Sequence, residues 1–200
     1  MDVLVKSHAA AARVAAGIDA MLKLREQHGF KSDDIASMAL GIPKIIQGRL
    51  TNPHPVDLQA AQMCLLFSVA LASKIALAPD GITTLGVPDF EAGLKDKSLY
   101  DIEERTTIAL DDEVEAASNE LSTAARVSVV LRDGRKLSML VPAPKGSPSQ
   151  PFTGAEHEAR FTQELSQRVS DKTCAEIVAM SHDLERLDPR WLGQALSAKL

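Results

Sequence analysis

The residues of this chain that could do chemistry are cations, histidines and a glycine-containing loop. Lys6 and Arg13, near the start of the sequence, could hold the carboxylates of an anionic ligand. His8 could transfer a proton, because histidine titrates near neutral pH. Elimination of water, decarboxylation or epimerisation beside a carboxylate needs both kinds of group. The alternatives are a partly buried structural histidine and solvated surface charges.

Two loops carry further candidate ligand-binding residues. Arg49 follows a glycine and His54 lies between two prolines, so a rigid loop could direct either side chain at a ligand. Lys145, Gly146 and Ser147 could offer an ammonium group and backbone N–H groups to an anion. A surface loop histidine, a solvated arginine and an ordinary turn are the structural alternatives.

Composition argues against several other functional classes. The net charge is -5, and Lys and Arg do not form a stripe that could follow the phosphates of a nucleic acid or an anionic membrane. The sequence has no CxxC or His-x-x-x-His spacing for a metal, no glycine-rich nucleotide loop and no serine nucleophile elbow. We therefore expect chemistry without a cofactor or a metal.

The two cysteines and the apolar runs bear on the cellular compartment. Cys64 and Cys174 lie far apart in apolar helical patterns, which is typical of buried free thiols in a reducing compartment. The longest apolar stretch, 60–78, is interrupted by polar residues, so no uninterrupted apolar run is long enough to cross a bilayer. No signal-peptide pattern is visible, so we expect a cytoplasmic protein.

Periodicity predicts the elements that must position these side chains. Ile35 to Leu40 suits a strand, 41–55 is mostly loop because of its prolines, and Thr107 to Leu110 suits a second strand. Asp57 is a plausible N-cap, and Thr153 with Glu156 fits a capping box. The helical patterns cover 7–27, 57–78, 89–94, 99–106, 153–169, 171–187 and 189–198.

The clearest strand signal is a hairpin. Val127 to Arg132 and Arg135 to Val141 flank Asp133-Gly134, which predicts a type I′ turn with positive φ at both turn residues. The order of elements predicts an α+β fold, with helices packed on a small antiparallel or mixed sheet and followed by a C-terminal helical segment. We place the boundary in the loop rich in Pro, Gly and Ser, giving regions 1–150 and 151–200.

Several of these features occur together, in order, in a known family. A lysine opens the segment before a helix with an Ile-Asp pair, here Lys6 and Ile18-Asp19. A Pro-containing segment, 52–55, leads into a long buried helix with small residues at 60–63 and 67–72. The chain thus resembles the C-terminal part of MmgE/PrpD proteins, the 2-methylcitrate dehydratase-like lyases and isomerases. The last shared features are the Asp133-Gly134 turn and the loop of Lys145-Gly146-Ser147-Pro148 with Pro151.

The resemblance implies a substrate, a domain organisation and partners. It implies a small di- or tricarboxylate as substrate, a cofactor-free mechanism and a homodimer. Residues 1–150 would be the α+β lid domain, and 151–200 the helices that pack on a separate helical domain. Lys6 matches the family's cleft lysine and would bind a substrate carboxylate. The helical domain has no counterpart in these 200 residues, so we expect the chain alone to be inactive until an N-terminal helical domain or a complementary chain joins it.

Three positions depart from the family's pattern. Ala11 and Ala15 stand where the decarboxylase and dehydratase branches have histidines, and Phe67 stands where a tyrosine is common. These departures favour a divergent substrate or weakened chemistry. The alternative function is therefore a non-catalytic module that binds a partner, or one subunit of a split enzyme.

Overall fold

The computed structural model describes residues 3–78, 82–119, 123–166, 168–183, 185, 188, 190 and 193–194. The chain forms two compact units. The first comprises Met1–Pro79 and Thr83–Pro151, and the second is formed mainly by Phe152–Leu200. The candidate site residues named above all belong to the first unit.

The first unit is built around one mixed sheet in the order β2-β1-β3-β4. Strand β1 pairs in parallel with β2 and antiparallel with β3, and β3 pairs antiparallel with β4. The parallel pair is joined by a long crossover that contains helices, as parallel pairing requires. The predicted α+β fold with a mixed sheet is confirmed. The strands are Ile35–Ile42 (β1), Thr106–Leu110 (β2), Ala125–Leu131 (β3) and Lys136–Val141 (β4).

Six helices belong to the first unit and two to the second, counting the described residues. A short 3-10 turn, Ala12–Val14, precedes the first helix. The helices are Ala15–His28 (α1), Leu58–Gln62 (α2), Leu65–Ala72 (α3), Val87–Gly93 (α4), Lys97–Glu104 (α5), Asp112–Ala117 (α6), Gly154–Ser166 (α7) and Asp171–Ser181 (α8).

Helix α1 is the centre of the core. It packs against β3, β4 and α3, and Ile18, Met21 and Leu24 are completely buried. Gly17 allows α3 to come close, because a Cβ at this position would lie 2.7 Å from Leu65 Cδ1. Any polar group on the buried faces of α1 is therefore held rigidly by packing on several sides.

Helix α1 begins at Ala15 and not at Ser7 as predicted. The amide of Ala9 donates to the Leu85 carbonyl at 2.7 Å, and the amide of Ala11 donates to the Gln62 carbonyl at 2.8 Å. Backbone groups that form these long-range bonds cannot also form helical ones. The alanine-rich start is thus an irregular segment held by tertiary hydrogen bonds.

The predicted helix from Asp57 to Ala78 is wrong as one element, since α2 and α3 replace it. The Asp57 N-cap is confirmed, because its Oδ1 accepts from the Ala60 amide at 2.7 Å. The chain breaks before α3, where Cys64 Sγ accepts from the amide of Phe67 at 3.3 Å. The amide of Leu65 donates instead to the Leu50 carbonyl, at 2.8 Å. A tertiary contact thus interrupts a continuous apolar pattern.

The hairpin of β3 and β4 is confirmed, but its type I′ turn is wrong. Only Gly134 has a positive φ, of 88°, whereas Asp133 does not. The Gly134 amide donates to the Leu131 carbonyl at 2.9 Å, and the Leu131 amide donates to the Arg135 carbonyl at 2.8 Å. This is the three-residue loop in which a glycine follows a type I turn.

Two further differences lie at the edges of the sheet. Strand β1 continues to Ile42, two residues into the predicted loop. Helix α6 was not predicted, and it begins after Asp111, whose Oδ1 accepts from the amides of Glu113 and Val114. The predicted helices at 89–94 and 99–106 correspond to α4 and α5, each of which begins two residues earlier.

The second unit contains α7 and α8. The capping box before α7 is confirmed: the Thr153 amide donates to Glu156 Oε2 at 2.6 Å, and the Glu156 amide donates to Thr153 Oγ1 at 3.2 Å. Both helices end earlier than predicted, at Ser166 and Ser181. Most of the helix predicted over 189–198 lies outside the described residues. No described helix has the length and apolar content of a membrane span.

Candidate functional site

Asp19 connects the two segments that carry most of the candidate residues. It lies on α1 with only 7% of its surface exposed. Its Oδ1 lies 2.8 Å from His8 Nε2, and its Oδ2 accepts from the Lys145 amide at 2.7 Å. One buried carboxylate thus fixes both the N-terminal segment and the loop at 144–147.

A second link brings the same two segments side by side. The amide of Val5 donates to the Gly146 carbonyl at 2.9 Å, next to Lys6 in the sequence. Gly146 has a φ of 88°, which a glycine tolerates without strain. Ser147 is completely buried, and its amide donates to the Pro144 carbonyl at 3.1 Å. The structure therefore brings Lys6 together with the loop of Lys145, Gly146 and Ser147, as a binding role would require.

Lys6 lines a small pocket. Its ammonium donates to the Ala10 carbonyl at 3.1 Å, and the side chain is exposed. The pocket has a volume of about 200 Å³. Gln62 also lines this pocket, and its side-chain amide donates to the Ala9 carbonyl at 2.6 Å. The lining consists of Lys6, Ala9, Ala10, Ala11, Gln59, Gln62 and Met63.

The ring of His8 is enclosed and uses both nitrogens. Its side chain is 1% exposed. The Leu85 amide donates to Nδ1 at 3.1 Å, so Nδ1 is unprotonated and Nε2 carries the hydrogen that faces Asp19. No ring nitrogen remains to exchange a proton with a ligand in this arrangement. Catalysis by His8 stays a prediction, and the geometry supports a positioning role for this residue.

Arg49 and His54 line a second pocket, with a volume of about 230 Å³. Both side chains are exposed, and Met63 belongs to the lining of both pockets, so the two pockets adjoin. His54 is the one non-glycine residue of the described chain with a positive φ, of 56°. Such a conformation is uncommon for a residue with a Cβ and is frequent at functional sites.

A buried carboxylate, Glu103, lies beneath this second pocket. Its Oε2 accepts from the His54 amide at 2.9 Å and lies 3.3 Å from His54 Nδ1. Burial raises the pKa of Glu103, and the contacts with His54 partly oppose this shift. Burial also raises the pKa of the neighbouring Cys64 thiol to about 11, so this thiol is not a nucleophile at neutral pH.

Two other positions of interest lie outside both pockets. Arg13 points elsewhere, since its Nη1 donates to Thr123 Oγ1 at 3.1 Å. Phe67 is completely buried, and its ring packs against those of Phe90 and Tyr100. The ring also lies close to Gly93, since a Cβ at that position would lie 3.2 Å from Phe67 Cζ.

Replacing Glu103 with glutamine is expected to remove a pH dependence of stability that arises from burial. The folded chain binds the Glu103 proton more tightly than the unfolded chain, because its pKa is raised above the ordinary 4.5. The resulting stabilisation is complete below that value and is lost as the pH rises through the folded pKa. We therefore expect the free energy of unfolding of the wild type, relative to Glu103→Gln, to fall over this window in urea denaturation.

Glu104→Gln is the matched control for this experiment. Glu104 follows Glu103 on α5 and is exposed. The wild type and this control should keep a nearly constant difference in the free energy of unfolding over the same range. A wild type that gains stability relative to Glu103→Gln as the pH rises would show that burial does not dominate the titration of Glu103.

Sequence reasoning did not assign a role to Asp19 or to Glu103. Asp19 lies between the buried residues Ile18 and Ala20. An acidic residue inside an apolar helical pattern could have indicated a buried carboxylate with a specific partner. Glu103 directly follows the buried Ile102 on α5 and is itself buried. Nothing in the sequence indicates that His54, on a distant loop, is its partner.

No curated protein shows significant similarity to the chain. The family model of the MmgE/PrpD C-terminal domain matches residues 8–186. The match includes Asp19, both loops and Glu103, and it begins two residues after Lys6. Since this match spans most of the 200 residues, the chain belongs to the MmgE/PrpD family and corresponds to the C-terminal domain of that family.

Proposed function

We propose that this domain belongs to a lyase or isomerase that acts on a small di- or tricarboxylic acid. The observation that supports this proposal is the pairing of the Lys6 segment with the loop that carries Lys145. Each of the two linked segments carries a lysine, and a lysine can offer positive charge to a carboxylate. The buried Asp19 holds both segments before a ligand arrives, which lowers the cost of ordering them on binding.

In this proposal the domain binds and orients the acid but does not complete the reaction alone. His8 is enclosed and Ala11 and Ala15 carry no titratable group, so the described residues of the Lys6 pocket supply little acid–base chemistry. The family's helical domain, whether part of the same polypeptide or of another, would supply it. We further propose a homodimer in the cytoplasm.

A thermal melt in the presence of small polycarboxylates tests the binding step. At about ten times the dissociation constant, citrate, 2-methylcitrate, cis-aconitate or a related diacid should raise the melting temperature by roughly 3–6 °C. The Lys6→Ala variant should lose most of this shift, because a cationic side chain that lines the pocket is removed. Differential scanning fluorimetry over a series of ligand concentrations would measure it.

Lys95→Ala is the control for the loss of one positive charge. Lys95 is an exposed lysine that lines neither pocket. This variant should keep the full shift in melting temperature. If all these acids stabilise the Lys6→Ala variant as much as the wild type, Lys6 does not bind the ligand.

A second candidate function is a non-catalytic module or a subunit of a split enzyme. Phe67 favours it, because this side chain is completely buried and has no hydroxyl group to offer to a cleft. The two functions are distinguished by adding a helical domain of the family as a separate chain. Turnover of an acid supports the enzyme, and a stable complex without turnover supports the module.

A further inference from the structure

His8 connects the N-terminal segment to two other parts of the first unit through its ring nitrogens. Its side chain is 1% exposed, so the ring finds its partners inside the protein. Nδ1 accepts from the Leu85 amide at 3.1 Å, and Nε2 lies 2.8 Å from Asp19 Oδ1. A backbone N–H can only donate, so Nδ1 carries no hydrogen. The imidazole is therefore neutral, with its hydrogen on Nε2.

Leu85 is held on the N-terminal segment by both of its backbone groups. Its amide donates to the His8 ring, and its carbonyl accepts from the Ala9 amide at 2.7 Å. The segment 83–86 that contains Leu85 leads into α4, and the Leu85 side chain is buried in the core. Ala9 in turn lines the Lys6 pocket. The contact between His8 and Leu85 thus lies one residue from the lining of that pocket.

A proton added to the imidazole changes the two contacts of His8 in different ways. An imidazolium carries a hydrogen on both nitrogens and has no acceptor. Its Nδ1–H would face the Leu85 N–H, and two donors cannot form a hydrogen bond with each other. The contact with Asp19 is kept and gains charge assistance, because Nε2–H donates to a carboxylate in both states. Protonation therefore breaks one link and keeps the other.

The charged residues around the imidazole preserve this difference. On α1, Asp19 contacts the ring. At the start of α4, the Asp89 carboxylate accepts from the amide that follows Leu85. The Lys6 ammonium donates to a backbone carbonyl, and Lys145 meets Asp19 through its backbone amide. The imidazole thus has one partner that accepts from both states of the ring and one that bonds to the neutral state alone.

We propose that His8 is a pH-sensitive link that releases the segment before α4 when its imidazole is protonated. The neutral ring joins the N-terminal segment to both α1 and Leu85, and the imidazolium joins it to α1 alone. The Lys6 segment keeps its link to Asp19 in both states, while the contact next to Ala9 is lost. This device needs no ligand and does not depend on the proposed function.

Amide hydrogen exchange of the whole chain at two pH values tests the link. Protection factors correct for the intrinsic pH dependence of exchange, and about pH 7.5 and about pH 5.5 bracket the usual titration of histidine. We expect the protection of the Leu85 amide to fall about tenfold at the lower pH, the value of one good hydrogen bond. The Ala11 amide, which donates to the Gln62 carbonyl at 2.8 Å, should keep its protection. Equal protection of the Leu85 amide at both pH values in the wild type would overturn the proposal.

Two substitutions separate the contacts of His8. His8→Asn offers an oxygen at the position of Nδ1 and cannot be protonated in this range, so the Leu85 amide should stay protected at both pH values. His8→Gln offers an amide nitrogen to Asp19 and no acceptor to Leu85, so the protection should be low at both. His28→Asn removes an exposed histidine from α1 and should show the same fall as the wild type. A fall that persists in His8→Asn would show that another group is responsible.

Nitrogen-15 NMR of the wild-type imidazole provides a test that does not depend on the folding of the variants. At the higher pH, Nε2 of His8 should carry the hydrogen and Nδ1 should be bare. On acidification, Nδ1 should gain its hydrogen over the same pH range in which the protection of Leu85 falls. A ring that carries its hydrogen on Nδ1 at the higher pH, or a loss of protection over a different range, would contradict the proposed link.

Discussion

Replacing Asp19 with alanine is expected to lower the free energy of unfolding by about 3 kcal/mol, since two hydrogen bonds to a buried carboxylate are lost. The His8 ring and the Lys145 amide both use this carboxylate, at 2.8 and 2.7 Å. In the variant, the hydrogen on His8 Nε2 would remain buried without an acceptor. Urea denaturation of both proteins would measure the difference.

The same substitution should loosen the proposed binding surface. The Lys145 amide is expected to exchange with deuterium faster in Asp19→Ala, and the stabilisation by citrate should shrink because one of the two links between the Lys6 segment and the loop is lost. Asp19→Asn should lie between the two proteins, since one amide oxygen can still accept while its NH2 faces a donor. Asp33→Ala, at an exposed position, is the control. A stability of Asp19→Ala within about 0.5 kcal/mol of the wild type would contradict the linking role of Asp19.

Features that depend on a few neighbouring residues were predictable from the sequence. The Asp57 N-cap, the Thr153 capping box and the hairpin at Gly134 each form from local hydrogen bonds. Even there, the turn type depends on whether both Asp133 and Gly134 or only the glycine takes a positive φ. A two-residue motif does not determine which of these occurs.

Features that depend on contacts between distant residues were not predictable. The apolar pattern after Asp57 continues through Cys64, yet the carbonyl of Leu50 accepts the Leu65 amide and the helix breaks. The alanine-rich segment before Ala15 has high helix propensity, but its amides bond to Leu85 and Gln62. Propensity is a weak tendency that tertiary hydrogen bonds override.

The same division applies to the candidate site. Residue types identified Lys6, His54 and the Lys145 loop as candidates, because cations and histidines suit polycarboxylate chemistry. Their grouping could not be predicted, since it depends on two buried acids whose partners lie far away in the sequence. Asp19 joins the first group, and Glu103 lies under His54, which is 49 residues earlier in the chain.

Arg25 is the second residue whose replacement should have a large effect. It is buried on α1, and its Nη1 donates to the carbonyls of Ala72 and Ile75, both at 2.8 Å. These carbonyls lie at the C-terminal end of α3, where helical partners are lacking and a positive charge is favourable. Burial lowers the pKa of Arg25, and Glu26 partly opposes this. The cost of burying the charge thus offsets part of the gain from the two hydrogen bonds.

Arg25→Met is expected to lower the free energy of unfolding by about 2–3 kcal/mol, because two carbonyls lose a charged donor while the apolar stem is kept. Lys23→Met is the control, since it removes a half-buried cation from the same helix; it should change stability by less than about 0.5 kcal/mol. Amide exchange at Ile75 should accelerate only in Arg25→Met. Because α3 begins next to Met63, which lines both pockets, a loosened α3 should also weaken citrate binding. Equal stabilities of the two methionine variants would show that the charge of Arg25 does not hold α3 in place.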